Sequence, residues 1–398
     1  SGNYIASGVY GATISGGGNI DLGLTNSIYA SSATIGGGKG NLIEAEALNG
    51  TIAGGYGNAI LYNADRATIG GGDRNQVQTN SLRSVISGGL QNVISNDSAY
   101  TVISGGRGNL IGTNSDYSTI GGGYQNQVGN GIAGSVYSTV AGGSNNVCQG
   151  DKSFIGGGFN NKTFYSIGTT IAGGANNLIS SNSTRATIGG GESNTIQTNG
   201  DYAVIPGGRD NIATNYAFAA GYNAEAKHTG AFVWSDSNGT ATASTNNNSV
   251  TMRASGGYRL FTGTSSVGSF LGAGGTSWSA ISDREVKKNF APVNGLEVLE
   301  KLDRVAVQSW NYKWEADGTV PHLGPIAQEF KAAFFPGRDD KSISTLEFDG
   351  VELAAIQGLN QKVTAQHSEL KAKQEKIESL EQRLADLEKL VRGALNKQ

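Results

Sequence analysis

The sequence predicts a mostly β chain: a parallel β-solenoid that gives way to a smaller mixed region ending in a coiled-coil helix. Three observations carry that expectation. Glycine is divided unequally, with 47 of the 62 glycines in residues 1–235 beside 10 Lys/Arg and 12 Asp/Glu, against 15 glycines, 19 basic and 20 acidic residues in 236–398. One short phrase recurs through the glycine-rich part, and an aliphatic heptad occupies the C-terminal stretch.

The phrase reads Ile/Val, a small residue, Gly-Gly, two variable residues, Asn. Its first residue is Ile35, Ile52, Ile69, Ile86, Ile103 and Ile120, spaced by 17, and it continues from Val140, Ile155, Ile171, Ile188 and Ile205 with spacings of 15 to 17. Ile14 begins an earlier, less regular copy. Such a period is too short for a helix pair or a propeller blade and fits one coil of a β-solenoid. In that reading the leading aliphatic packs inward on its copies, joined by another seven or eight residues on, as in Ile43, Ile60, Val77, Ile94 and Val128. The glycines make a corner that needs positive φ or close backbone approach. Asparagine either takes the left-handed conformation or bonds locally, and stacked copies form a ladder. About 12 rungs are expected over residues 1–234.

Composition narrows the function. A formal charge of −3 gives no basic field for nucleic acid. No run of 18 apolar residues exists, so no membrane insertion is expected. A lone cysteine, Cys148, rules out an internal disulfide framework and fits a small side chain tucked into a rung. No metal site can be assembled from so few His and Cys, and no cofactor is expected. The repeated glycines lack the Gly-x-x-x-x-Gly-Lys-Ser/Thr of a phosphate loop. Variable residues beside the phrase, Tyr56, Arg74, Arg107, Tyr124, Phe159 and Arg209, are expected on the surface, where a glycan or protein receptor would dock. The opening Ser1-Gly2, in place of Met, leaves room for an export signal or upstream domain.

The phrases Ala67-Thr-Ile-Gly-Gly-Gly-Asp-Arg-Asn75 and Ser118-Thr-Ile-Gly-Gly-Gly-Tyr-Gln-Asn126, with Tyr216-Ala-Phe-Ala-Ala-Gly-Tyr-Asn-Ala224, resemble the head repeats of trimeric autotransporter adhesins and related haemagglutinins. That resemblance implies a left-handed parallel β-roll three chains wide, although the period here is longer.

After Trp234 the repeat decays, and residues 235–281 read as a linker and β-rich neck, with a hairpin expected over Val250–Phe261 about Gly256-Gly257. Then comes Ser277-Trp-Ser-Ala-Ile-Ser-Asp-Arg-Glu-Val-Lys-Lys-Asn-Phe290. Alone, Ser282 and Asp283 read as a helix cap and Lys287 as a solvated side chain. The stretch nevertheless resembles the start of the intramolecular-chaperone peptidase domain at the C-terminus of phage endosialidases and tail spikes, whose pattern is Ser-Asp-x-Arg-x-Lys-x-Asn. Ser282, Asp283, Lys287 and Asn289 fall in register, with Glu285 in the arginine place; Val307-Gln-Ser-Trp-Asn-Tyr312 and His322-Leu-Gly-Pro-Ile-Ala-Gln-Glu329 match two further family segments. The resemblance implies a small α+β chaperone domain over 282–355, with Ser282 as nucleophile and Lys287 as base cutting the Ile281–Ser282 bond. Asp283, Asn289, His322 and Gln328 are supporting candidates. A serine needs such a base, and a desolvated lysine can provide it.

From Ile356 to the end a heptad places Ile356, Val363, Leu370, Ile377, Leu384 and Val391 on one seam, with Leu359, Gln366, Lys373, Leu380, Leu387 and Ala394 beside it. This predicts a coiled coil over 356–398, and the resemblance, not the heptad, implies a homotrimer. Together these imply an extracellular trimeric fibre of a virion tail or cell surface, tail-fibre-like or adhesin-like, whose only enzymatic act is on itself. The competing readings are the shaft of a glycan-degrading spike with its catalytic domain upstream, and an inert spacer.

Overall fold

A computed structural model of the chain describes residues 2–19, 21–130, 135–264 and 267–396. The chain forms two compact units, Ser1–Gly257 and Tyr258–Gln398.

The first unit is the solenoid. Each regular turn contributes two very short strands, such as Thr68–Ile69 and Gln76–Val77, whose second residue points inward. Each strand pairs in parallel with its copy one turn away: Thr51 with Thr68 with Val85, and Ala59 with Gln76 with Val93. Two long sheets result. The A sheet has 15 strands, from Tyr4–Ile5 to Thr242–Ala243. The B sheet has 16, from Thr13–Ile14 to Val250–Arg253, with Gly208–Arg209 beside its main path. This makes about 14 turns, against about 12 expected. The additional turns lie beyond the regular phrase, where Tyr4–Ile5 and, at the other end, the longer strands Phe232–Ser235 and Val250–Arg253 keep the pairing without its Gly-Gly corner.

One turn shows the inward pattern. Ile69, Asn75, Val77, Ser81 and Ser84 are all fully buried, as are Ile52, Asn58, Ile60, Ala64 and Ala67 in the turn before. Each turn thus buries two aliphatics, one asparagine and two small residues. Apolar burial at about 1.5–3 kcal/mol per large aliphatic drives the stack, and the small residues let the far corner close. Cys148 stands at the second aliphatic position, fully buried, where burial pushes its thiol up to about 11.

The corners differ in part from expectation. Gly72 has φ +90, and a Cβ there would meet the Gly89 carbonyl oxygen at 2.1 Å, so only glycine fits. Asparagine does not occupy the left-handed region; the residue before it does. Arg74 (φ 54), Asn80 (φ 59) and Arg83 (φ 55) make three left-handed positions per turn. A non-glycine residue costs about 1–2 kcal/mol in that conformation. Hydrogen bonds between turns offset the cost: their N–H groups donate to the carbonyls of Tyr56, Tyr62 and Asp65 at 2.8, 3.2 and 2.8 Å. Asn75 forms the expected ladder, its Nδ2 donating to Asn58 Oδ1 at 3.2 Å and to the Gly71 and Gly89 carbonyls at 2.9 Å each.

The stretch read as linker and neck is divided at Gly257. Val250–Arg253 pairs in parallel with Phe232–Ser235, whereas Tyr258–Phe261 pairs antiparallel with Gly268–Leu271. The hairpin expected about Gly256-Gly257 is therefore not formed, because the Val250 segment finds its partners in the preceding solenoid turn.

Among the described residues the second unit holds a three-stranded antiparallel sheet (Tyr258–Phe261, Gly268–Leu271, Ser279–Ala280), a two-stranded one (Val307–Trp310, His322–Pro325) and three α-helices. The helices are α1 (Gly295–Leu302), α2 (Ala327–Phe334) and α3 (Thr345–Leu395). Phe330, Val305 and Val351 form their small core. The terminal helix starts well before Ile356, because Ser344 caps it by accepting the Glu347 N–H at 3.2 Å. Its buried residues are Val351, Ala355 and Gly358; the seam residues Val363, Leu370, Ile377, Leu384 and Val391 are exposed.

Candidate functional site

The strand Ser279–Ala280 pairs with Gly268–Leu271 and so fixes the chain just before Ile281. Ile281 is half-buried and helps line a recess of about 220 Å³ with Arg259, Phe261, Ser269 and Phe270. Beyond it the chain bends sharply. Asp283 caps the 3₁₀ turn Arg284–Val286, its Oδ1 accepting the Glu285 N–H at 3.1 Å. The Lys287 N–H closes the turn on the Arg284 carbonyl at 3.1 Å. One tight turn thereby carries Lys287 back to Ser282, and Lys287 Nζ donates to Ser282 Oγ at 2.5 Å. Both side chains are exposed. Two residues on, Asn289 adopts φ 60, a conformation that asparagine tolerates better than most residues.

The cap reading and the dyad reading thus describe the same turn: Asp283 caps it, and Ser282 instead accepts from Lys287. Among the described residues no hydrogen bond joins His322 or Gln328 to this pair. His322 Nε2 lies 2.8 Å from Glu315 Oε1, and its ring stacks on Trp310 at 4.7 Å between centroids. Hydrogen bonds from His322 and from the Tyr312 N–H hold the Glu315 carboxyl below its usual range. This cluster holds the loop that connects the two strands of the Val307–Pro325 hairpin, beside the Trp310–His322 pair. Gln328 sits exposed in the first turn of α2.

Two features escaped sequence reasoning. Glu315 lies in the loop between two family segments, with nothing in its local pattern to mark it as the partner of His322. Lys331 is buried, and its Nζ pairs with Glu347 Oε2, which joins α2 to α3. A lysine three residues after Gln328 carries no sign of burial beyond its i,i+3 spacing to Phe334.

On the solenoid, Tyr56, Arg107, Tyr124, Phe159 and Arg209 fall in one outward column, bridged from turn to turn. Arg74 lies in the adjacent column with its guanidinium over the Tyr56 ring at 5.4 Å. A second outward column, not singled out from the sequence, stacks Tyr100, Tyr117 and Tyr137 at 5.0 Å spacings. Their faces cover one another, and at one end of the stack Arg83 donates to the Tyr100 hydroxyl and lies over its ring at 5.2 Å. Among the described residues no group of three or more His, Cys, Asp or Glu could hold a metal, and no helix is long and apolar enough to cross a membrane.

Residues 282–337 match the peptidase family described as chaperone of endosialidase. The match begins at the serine that Lys287 contacts and extends through the two-stranded sheet and α2. No curated protein matches the chain.

Proposed function

We propose that the chain is a subunit of an extracellular trimeric fibre whose C-terminal region directs assembly and then detaches by cutting the Ile281–Ser282 bond. The observation that carries this reading is the 2.5 Å contact between Lys287 Nζ and Ser282 Oγ at the first residue of the family-matched segment.

The chemistry follows from adjacency. When Nζ is a free amine, the contact reverses and the Ser282 hydroxyl donates to it. Oγ attacks the Ile281 carbonyl carbon while Nζ takes the hydroxyl proton. That proton passes to the Ser282 nitrogen as the C–N bond breaks, which leaves an ester between Ile281 and Ser282 Oγ. Water cleaves the ester to the Ile281 carboxylate and restores the Ser282 hydroxyl, so the net change is hydrolysis of one peptide bond. Burial favours the neutral amine. Neighbouring copies packed over the exposed pair would supply that burial, so that cutting follows assembly.

The exposed seam of α3 is the assembly element in this reading. Its aliphatic residues need partners, and identical helices offer them. Attachment to a surface glycan or receptor would fall to the outward aromatic and arginine column through Tyr56, Arg107 and Tyr124.

Intact mass of freshly expressed protein tests the proposal. The wild type is expected to split into 1–281 and 282–398, while Ser282→Ala and Lys287→Ala stay whole at 41.0 kDa. A wild-type chain that remains at full mass after it has assembled overturns self-cleavage. Light scattering on the two variants, which keep the clamp, reads the number of copies.

A further inference from the structure

Along its main path the outward side of the B sheet carries no charge, Arg209 lying on the short strand beside that path. The residue before each inward aliphatic stacks in register from Thr13 through Thr68, Thr119 and Thr187 to Phe232 and Val250. These 15 positions are eight threonines, four valines and three phenylalanines. The residue two places further on is glycine, alanine, serine or proline until the last turns, where Trp234 and Met252 appear. The other faces differ. The A sheet presents Glu44, Lys162 and Glu225 among its outward residues, and the bridged column carries Lys39, Asp73, Arg107, Glu192 and Arg209. Near its C-terminal end the B face is openly apolar, with Phe232, Trp234, Val250 and Met252 all more than a third exposed.

We infer that the B-sheet face is where copies of this chain pack against one another in the shaft. Identical chains about a symmetry axis bring each residue near its own copies, so any charged side chain on the buried face meets like charges. A face without charge over every turn satisfies that condition, and the A sheet would bring Lys162 against Lys162. Threonine, valine and small residues also make a flat surface that lets sheets approach to about 10 Å. The repeat length points to the same occupant. A surface that repeats turn by turn over some 14 turns is covered along its length only by a partner with that repeat, and a second copy has it. This rests on the multimeric reading above and adds which side of the solenoid is inside.

Single cysteines at Thr119 on the B sheet and Gln127 on the A sheet, carried by the full chain, test the assignment. Cys148 is fully buried, and unsubstituted protein serves as its labelling control. With nitroxide labels, Thr119→Cys should give inter-copy distances within about 20 Å, from sheets packed about 10 Å apart plus the label arms. Gln127→Cys should give clearly longer ones. In parallel, T119K with T170K should abolish assembly of the shaft while Gln127→Lys does not, with circular dichroism checking that the solenoid persists. An assembly that forms and sheds 282–398 while its Thr119 labels stay farther apart than its Gln127 labels overturns the face assignment alone and leaves that face to another partner. Lysine variants that assemble as the wild type does also overturn it. A chain that is monomeric in solution overturns both this and the fibre reading.

Discussion

Replacing Asn92 with alanine asks whether the asparagine ladder or the aliphatic core holds the turns together. Asn92 is fully buried. Its Nδ2 donates to Asn75 Oδ1 at 3.1 Å and to the Gly88 and Gly106 carbonyls at 3.0 Å each. Its Oδ1 accepts both the backbone N–H and the Nδ2 of Asn109 at 3.0 Å. Alanine removes all of these, yet most partners keep another bond. The Gly106 carbonyl retains the Leu90 N–H at 2.9 Å, Asn75 Oδ1 retains the backbone N–H of residue 92 at 3.0 Å, and Asn109 Nδ2 retains the Gly105 and Gly123 carbonyls. The Asn109 N–H and the Gly88 carbonyl are stranded. A buried group left unpaired costs about 1–3 kcal/mol, and Gly88 is only half-buried, so water relieves part of its loss. The expected destabilisation is about 2–4 kcal/mol, comparable to cutting a core isoleucine to alanine. Because each turn interacts chiefly with its neighbours, the loss is local. Hydrogen exchange at the Asn109 amide should accelerate by about 30-fold or more, from 1.4 kcal/mol per tenfold, with little change at the Asn194 amide, several turns further on. An Asn109 amide that exchanges at the wild-type rate would refute the reasoning.

Other consequences concern the second unit and the end of the solenoid. Gly358→Ala should lower the melting temperature, although alanine favours a helix interior by about 1 kcal/mol, because its Cβ would sit 2.1 Å from the Gly295 carbonyl oxygen where α1 meets α3. Glu347, held below its usual range by Lys331 and then Arg338, stabilises the fold at neutral pH, and that contribution is lost as pH falls through its depressed folded value. Glu347→Gln should therefore destabilise by about 2 kcal/mol at pH 7, less than a fully buried pair because Glu347 is partly exposed, and by much less in acid; urea melts at the two pH values read the difference. Asp236, lowered to about 2 by hydrogen bonds from Ser255, should anchor the last turn above its ordinary carboxyl range and release it as pH falls from about 4 towards 2. Exchange at the Ser255 amide, which donates to Asp236 Oδ2 at 2.6 Å, reports that release.

What could be read from the chain depended on whether a position tolerates alternatives. Ile69 and Asn75 are legible because the inside of a turn accepts little else, and their copies stand at fixed offsets. Ser81 and Ser84 are not, since Ala64 and Ala67 serve equally and small residues abound in loops. The left-handed positions are less legible still: Arg74, Asn80, Arg83 and Tyr117 share a backbone conformation and no chemistry, because hydrogen bonds between turns impose it. In the candidate site, Ser282 and Lys287 are legible only through the resemblance of residues 277–290 to the chaperone family, since alone they read as a cap and a solvated side chain; the 3₁₀ turn between them shows how the chain brings the two side chains together. The recess around Ile281 was not found, since Phe261 and Phe270 reach it only through strand pairing. The hairpin over Val250–Phe261 was misread for a related reason: Gly256-Gly257 is good turn chemistry, but Val250 already had a parallel partner in Phe232.

The regularity that makes the shaft legible also leaves it poorly specified. If copies pack side by side, a copy displaced by one 17-residue turn presents the same threonines, isoleucines and asparagine ladder at nearly every level. Only the ends and the irregular places oppose the slip. Among these are the longer spacing from Ile120 to Val140, the shorter one from Val140 to Ile155, and the aromatic last turns at Phe218 and Phe232. Each distinguishes one alignment locally, against many turns that do not. A coiled coil is better suited to that choice, because Gln366 and Lys373 interrupt its aliphatic seam in two successive heptads, and a shift by one heptad sets Gln366 against Lys373 and buries Lys373 against Leu380 and Gln366 against Leu359. Alignment chosen in α3 would be passed to the shaft through the chain itself. Once the long sheets had closed in register their own contacts would keep it, and a helix needed only for the choice could then be cut away at Ser282.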